Sequence, residues 1–473
     1  MFRFRLFLLC FGLPVCLLAQ STTYKGTLIV GSNSLDIIFH IQEEPKGRIS
    51  ASMDVPQQSA MGLKCDEATR TTDSLILKIN MIRGAYRGKF ETDSTIKGVW
   101  NQGMDFPLNL SKVDQALNRP QHPKPTDDYI SREVIYKNAD ASVTFGATIT
   151  IPKGEGSYPA IVLINGSGQQ NRDSEVFGHK LFAVLADFFT RNGYIVLRAD
   201  DRGVGKTEGD LKFATSADFA EDVKVHLDYL KRLPQTDKKR LYLIGHSEGG
   251  MIASMVAASR KDVAGAILLA SPGIPIFELL VQQQAEVLKS AGIAEKDIDT
   301  YKIVFEALTK AVSLAGDFET ARQTADQLIS TYRSTANPAV VSAITGITDD
   351  ESQDNFVNDI AQTFMSPWFA YFLRYNPEND LKKIKIPVLA ITGSRDIQVL
   401  ADPNLEGIRN ALTKAKNKNF RIEKMEGYNH LFQKCKICSV GEYALLEETF
   451  SPKVMQMMLD WLNSLQQTKK KKK

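Results

Sequence analysis

The chain is poor in cysteine and histidine, and beyond its first twenty residues it has no long apolar run. Of five cysteines, Cys10 and Cys16 lie in that first stretch, which leaves Cys65, Cys435 and Cys438 to the body of the chain. Three thiols cannot staple a disulfide scaffold, although in an oxidising compartment Cys435-Lys436-Ile437-Cys438 could close a small bridge with Cys65 left over. The six histidines supply no neighbouring pair for a zinc site. The scarcity of apolar runs excludes a multispan membrane protein. Charge of one sign is missing as well: 58 basic residues face 55 acidic ones, and the basic count includes Arg3, Arg5 and the terminal run Lys469 to Lys473. The body is therefore mildly acidic and carries no nucleic-acid footprint.

What is present begins with a leader. Two arginines, an apolar stretch from Leu6 to Leu18, and Ala19-Gln20-Ser21 after it read as a cleavable signal peptide over 1–20, so export to the periplasm or beyond is expected. The apolar core falls short of the roughly 20 residues a spanning helix needs, and no transmembrane segment is expected in the mature chain. Leu13-Pro14-Val15-Cys16 is a poor lipoprotein signal. Short alternating runs broken by Gly, Asn, Asp and Pro predict a small antiparallel β-domain over 21–117, a barrel or a sandwich. A Pro-rich stretch, 118–126, reads as a linker. Over 127–467 strands alternate with helical patterns, the signature of a mostly parallel α/β sheet. Strands are predicted at Val143–Ile151, Ala160–Ile164, Ile195–Ala199, Leu241–Ile244, Ala264–Leu269, Val388–Thr392 and Phe420–Lys424. Helices are predicted near His179–Arg191, Ser216–Leu230 with Ser216 at a capped start, Gly249–Ser259 and Pro452–Leu465. Between Ile276 and Pro377 only helix-period apolar residues recur, which predicts a helical cap over about 275–380 with Trp368, Phe369, Tyr371 and Phe372 on its underside. Residues 468–473 read as a solvated lysine tail.

The strongest chemical signal is Leu241-Tyr242-Leu243-Ile244-Gly245-His246-Ser247-Glu248-Gly249-Gly250, a strand ending in G-x-S-x-G with a helix directly behind it. That context holds a serine out on a tight turn and makes Ser247 a candidate nucleophile. A serine hydroxyl needs a base, and the base needs an orienting acid. Histidine scarcity narrows the choice: His246 is inside the turn, His179 and His226 fall in helical patterns, His40 in the β-domain and His122 in the linker. His430, in the loop after the last strand, remains as the candidate base. The loop after the preceding strand offers Asp396, with Asp402 as the alternative. The order Ser247, Asp396, His430 is that of the α/β-hydrolase fold. Backbone N–H groups for an oxyanion come from Glu248 and from the loop Asn165-Gly166-Ser167-Gly168-Gln169, where Ser167 is the first choice and Gly168 stays open. Gly203-Val204-Gly205-Lys206-Thr207 lacks the first glycine of a phosphate loop, and Asp200-Asp201 reads as part of a turn.

With Arg172-Asp173, Asp201-Arg202-Gly203-Val204-Gly205 and Asn429-His430-Leu431-Phe432-Gln433 added, residues from near Asp127 to Leu465 resemble bacterial serine esterases of the α/β-hydrolase superfamily. The likeness is to exported forms in the dienelactone-hydrolase and serine-aminopeptidase-like branch, which carry a small β-domain ahead of the hydrolase domain. It implies an α/β-hydrolase sheet with a helical cap, a Ser247, Asp396, His430 triad, a small-molecule ester substrate, and no metal or organic cofactor. The Cys435, Cys438 pair beside His430 departs from the group's pattern, and a bridge there would stiffen the histidine loop. Three alternatives stay open: a serine peptidase of the prolyl-oligopeptidase or aminopeptidase kind, a thioesterase, and a non-catalytic binding protein. The first usually carries a propeller, for which this β-domain is too small, or an amine-binding carboxylate, a role that stays open for Glu248 and the acids of the cap.

Overall fold

The structure, a computed structural model, describes residues 21–30, 33–43, 48–58, 60–113 and 118–470. The expected signal peptide over 1–20 and the last three lysines of the tail lie outside them. The N-terminal part forms one antiparallel sheet from β1 (Ser21–Val30), β2 (Asn33–Glu43), β3 (Ile49–Val55), β4 (Ala60–Lys64), β5 (Glu67–Arg70), β6 (Ser74–Ile79), β7 (Gly84–Thr92), β8 (Thr95–Asn101), β9 (Asp105–Pro107) and β10 (Leu110–Val113). Strand order is β4-β3-β2-β1-β10-β8-β7-β6-β5, with β9 added on β8. The Cys65 N–H donates to the Ala51 carbonyl at 2.9 Å, which curls the β5 end back onto β3. The result is barrel-like. Burial alternates strictly along β6, where Leu75, Leu77 and Ile79 point inward, as a period of two demands. Tyr24, Phe39, Tyr86 and Trp100 fill the interior. Cys65 is buried among them, and burial pushes its thiol up to about 12, so it packs as a small hydrophobe.

The linker is more than a spacer. Buried Arg119 donates to the carbonyls of Phe177, Gly178, Ala444 and Leu446, and Gln121 pairs with the backbone of Thr449 and Phe450. A Pro-rich composition conceals two side chains that pin this segment to the second domain.

That domain is built on β11 (Tyr129–Lys137), β12 (Thr144–Pro152), β13 (Tyr158–Ile164), a hairpin of β14 (Glu175–Val176) and β15 (His179–Lys180), then β16 (Ile195–Ala199), β17 (Thr236–His246), β18 (Val263–Leu269), β19 (Val388–Gly393) and β20 (Phe420–Met425). The main sheet has the order β11-β12-β16-β13-β17-β18-β19-β20. It is antiparallel at the β11 and β12 edge and parallel from β16 onward. Its inner strands are apolar on both faces because both faces are covered. Val162, Leu243 and Leu268 meet α2 (Ser216–Arg232), α3 (Glu248–Ser259) and α11 (Ala401–Lys414) on one side. Ile161, Tyr242 and Ile267 meet α1 (Leu181–Arg191) and α13 (Pro452–Lys470) on the other.

Between β18 and β19 stands the cap: α4 (Ile276–Ser290), α5 (Glu295–Ser313), α6 (Phe318–Thr335), α7 (Pro338–Thr345), α8 (Asp350–Phe364) and α9 (Pro367–Arg374), followed by the short α10 (Glu378–Leu381). Its starts are chemically marked. Asp317, Asn337, Asp349 and Ser366 each accept a backbone N–H of the first turn, and proline opens α7 and α9. Leu308, Ile329, Val357 and Ile360 give the cap a core of its own. After β20 comes one turn, α12 (Val440–Tyr443).

Several expectations need correction. His179 is in β15 rather than a helix, because Phe177 and Gly178 both take left-handed φ values, 52° and 71°, and fold the chain into a hairpin. Helix α2 is capped by Thr215, whose side chain pairs reciprocally with Asp218, and not by Ser216. Helix α13 runs through Lys470 instead of ending near Leu465.

Candidate active site

The site assembles where four loops leave the C-terminal ends of parallel strands. At the end of β17, Ser247 has φ 56° and ψ −123°, a left-handed conformation that a non-glycine residue holds only when its surroundings enforce it. The Ser247 N–H donates to the Leu269 carbonyl at 2.8 Å, tying the turn to β18. Glycine is needed on both sides: a Cβ at Gly245 would lie 2.0 Å from the Gly249 carbonyl oxygen, and one at Gly249 would lie 2.1 Å from that of Ile164. Ser247 is the one partly exposed residue in the buried run from Leu241 to Gly250.

Asp396 follows β19 and His430 follows β20, and the structure brings them together. The His430 Nδ1–H donates to Asp396 Oδ2 at 2.8 Å, with both residues 4% exposed. The other carboxylate oxygen accepts the N–H groups of Gln398 and Val399, at 2.8 and 2.9 Å. The two loops are stitched directly: Arg395 N–H reaches the Tyr428 carbonyl, and Gly427 N–H reaches Ser394 Oγ. Within the histidine loop the buried Asn429 amide accepts from Leu431 and Gln433 N–H. Asp402 does not approach His430; it is exposed and pairs with Lys424 at 2.8 Å, as a surface charge on α11.

The nucleophile turn touches this pair through its own histidine. The His246 Nε2–H donates to the His430 carbonyl at 2.9 Å, and the two rings lie 4.7 Å apart. Burial, with His430 beside it, drives the His246 imidazole down to about 3, so it stays neutral. The remaining histidines are packing residues. His226 accepts from the Tyr136 hydroxyl and is held near 3 by burial, while His179 is wedged against Thr449 and the Tyr443 carbonyl. His122 accepts the Lys180 N–H, and His40 pairs with Asp54 at 2.7 Å.

The loop after β13 passes against the turn, since a Cβ at Gly166 would sit 3.2 Å from that of Ser247. Ser167 and Gly168 are both partly exposed there. Behind the loop, Asp201 accepts from Asn165 Nδ2 and from the Gln170 N–H, both at 2.9 Å, and desolvation pushes its carboxyl up to about 7. Asp200 is engaged by the Arg172 guanidinium and by the backbone N–H groups of Arg172 and Lys206. Arg202 forms a bidentate pair with Asp222. The acidic pair is thus a brace under the loop.

A disulfide closes Cys435 to Cys438, and Glu442 accepts the N–H groups of Lys436, Ile437 and Cys438 around it. With the sulfurs joined and the carboxylate occupied, this cluster has no free ligand for a metal. One set of contacts was not visible in the sequence pattern: the carboxylate of Glu248 is buried and bound to Ser216 and Trp368, with Ser167 beside it. Its backbone N–H was expected to serve the oxyanion, and its carboxylate only to bind an amine under the peptidase alternative. An open groove of about 450 Å³ runs along α9, lined by Thr215, Pro367, Tyr371, Arg374 and Asn376.

Fold and site geometry together define an α/β hydrolase with a β-domain ahead of it. Residues 179–344 match the family model described as serine aminopeptidase, S33. Over 186 residues the chain is 30% identical to esterase EstD of Thermotoga maritima, covering 39% of this chain and 44% of that protein. Over 185 residues it is 25% identical to an uncharacterized 31.7 kDa protein of Escherichia coli from the traX-finO intergenic region, covering 37% of this chain and 62% of that one. The chain therefore spans less than two thirds of the length of these relatives. Over residues 179–344 it is similar to the S33 serine-aminopeptidase-like α/β hydrolases. Among solved structures, an esterase of Pyrococcus furiosus aligns over 74% of this chain and 97% of that one, at 14% identity and TM-score 0.41.

Proposed function

We propose that the protein is an exported serine hydrolase that cleaves carboxylic esters of small molecules. In this reading Ser247 Oγ bonds to the acyl carbon while His430 Nε2 takes its proton, and Asp396 fixes the imidazole tautomer and stabilises its charged form. The backbone N–H groups of Ser167 and Glu248 receive the oxyanion. Collapse breaks the ester C–O bond, and His430 returns the proton to the departing alkoxide. Water then attacks the acyl-enzyme through the same base and releases the acid. The observation that carries the reading is the buried Asp396–His430 hydrogen bond set against a strained serine turn, with His246 linking the two. The similarity to a protein named esterase EstD supports the ester class, and the leader sequence supports export.

The name of the matched family favours a second reading, an aminopeptidase. Amine recognition needs a carboxylate with open acceptor positions, and the carboxylate nearest Ser247 in sequence, Glu248, is buried and already engaged by Ser216 and Trp368. Turnover of a p-nitrophenyl ester series and an aminoacyl-p-nitroanilide series, with Ser247→Ala alongside, separates the two. Ester hydrolysis abolished by the substitution is expected; anilide cleavage without ester cleavage would overturn the proposal.

A further inference from the structure

Glu248 opens α3, and its side chain is 2% exposed. Its Oε1 accepts the Ser216 hydroxyl at 2.6 Å and the Trp368 indole N–H at 3.0 Å, and the Ser167 side chain lies beside the carboxylate. These side chains come from three separate elements. Ser167 is in the loop after β13, Ser216 is the first residue of α2, and Trp368 is on α9 of the cap. Trp368 continues the connection inward: it stacks on Phe372 at 5.3 Å and tilts against Phe369, which stacks on Phe364 of α8 at 4.7 Å.

A carboxyl so placed is expensive to bury, and it is tolerated only while its donors remain in position. The indole N–H can only donate, so it too loses its partner if α9 lifts away. Loop, α2 and cap therefore hold one another through a single group, and departure of any one leaves the others with an unmet polar atom.

We propose that Glu248 is a positioning residue that latches the cap to the oxyanion loop, so that the seating of α9 on Trp368 sets both the loop geometry and the acyl pocket beneath the cap. The catalytic half of this statement rests on the esterase reading above, whereas the mechanical half does not.

The test uses the mature chain with Glu248→Gln, Glu248→Ala and Trp368→Phe. kcat and KM are measured over p-nitrophenyl esters of increasing acyl length, and hydrogen–deuterium exchange is followed in segments 165–170 and 366–374. Glu248→Ala should lose about 10- to 100-fold in kcat, and glutamine, which keeps an acceptor for Ser216 and Trp368, should recover at least about 10-fold of that loss. Trp368→Phe should raise KM more than it lowers kcat and change the short-to-long ester ratio several-fold. It should also speed exchange in 165–170, a segment linked to Trp368 through Glu248; a purely local packing loss would not do so. Unchanged exchange there, or a glutamine variant as impaired as alanine, overturns the latch. If Glu248→Ala does not fold, Trp368→Phe and Glu248→Gln still decide the matter. If wild type cleaves no ester, the esterase reading fails, and the exchange comparison alone then decides the latch.

Discussion

The two sides of the site are held in different ways. On the histidine side, Asp396 and His430 are fixed by several bonds, most of them involving backbone N–H groups, with the Asn429 side chain holding the turn at His430 from within. On the cap side, the nucleophile turn, the oxyanion loop and α9 converge on one carboxylate, supported by aromatic packing. The difference teaches how a hydrolase can separate two demands. In the proposed mechanism the proton-transfer pair must hold one geometry for any substrate, and backbone stitching gives that rigidity. An acyl pocket, on the same proposal, must suit a particular substrate, and a separately packed cap can be re-seated by few changes.

The largest effect should follow from breaking the rigid side at its chemical centre. His430→Ala should lower kcat for esters by about 10⁴-fold or more while the thermal midpoint barely moves, because removal of a triad base abolishes proton transfer without opening the sheet. Steady-state kinetics beside a melting curve tests this; retention of more than a tenth of the activity would place the base elsewhere. Next in size is Gly249→Ala. The added methyl meets the Ile164 backbone oxygen at 2.1 Å, and backbone cannot step aside as a side chain can. A loss of about 3 kcal/mol in denaturant unfolding, with the turn displaced and activity falling in parallel, is the expected result.

How much of this could be read beforehand follows from the same contrast. The turn was legible because steric crowding leaves only glycine at Gly245 and Gly249, and His430 because strand order fixed its place. The cap was legible as an insertion through its helical period. Edge strand β11 was missed because its side chains are mostly exposed and show no apolar alternation. Helix α11 was missed although Leu405, Ile408 and Leu412 recur at helical spacing; Pro403 in its first turn, where proline is tolerated, obscured the pattern. Glu248 and its partners were out of reach for a deeper reason: Ser216, Glu248 and Trp368 are distant in sequence, and no local spacing links them. Arg119 and Gln121 were hidden in the same way by the composition around them.

A smaller effect distinguishes the brace from the catalytic pair. Asp201 titrates near 7 in the folded chain against 3.8 ordinarily, so between those values the folded state binds a proton that the unfolded state has released. Its contribution to stability is therefore present below about pH 4 and is lost as pH rises through about 7. The neighbouring Asn165 Oδ1 is buried without a partner, and a 180° turn of that amide would let a protonated Asp201 donate to it. Asp201→Asn mimics that neutral state. Relative to wild type, the variant should gain about 3 kcal/mol in unfolding free energy between pH 4.5 and pH 8, with ester turnover within a few-fold. A difference independent of pH would mean that Asp201 is ionised throughout.

The smallest effect should come from reducing the Cys435–Cys438 bridge. It lies in the histidine loop, five residues beyond His430, which invites the idea that it orders the catalytic base. The hydrogen bonds argue otherwise. Glu442 already collects the N–H groups of Lys436, Ile437 and Cys438, and Asn429 fixes the turn at His430 from within. Closing so short a loop contributes at most about 2 kcal/mol through chain entropy, and less where other bonds restrict the same segment. Cys435→Ser with Cys438→Ser should therefore lower stability by about 1 kcal/mol and leave kcat within about 2-fold. Glu442→Gln in that background should then cost more than it does with the bridge intact, because bridge and carboxylate hold the same few residues. Additive losses, measured by a double-mutant cycle in denaturant, would show instead that each secures a different part of the loop.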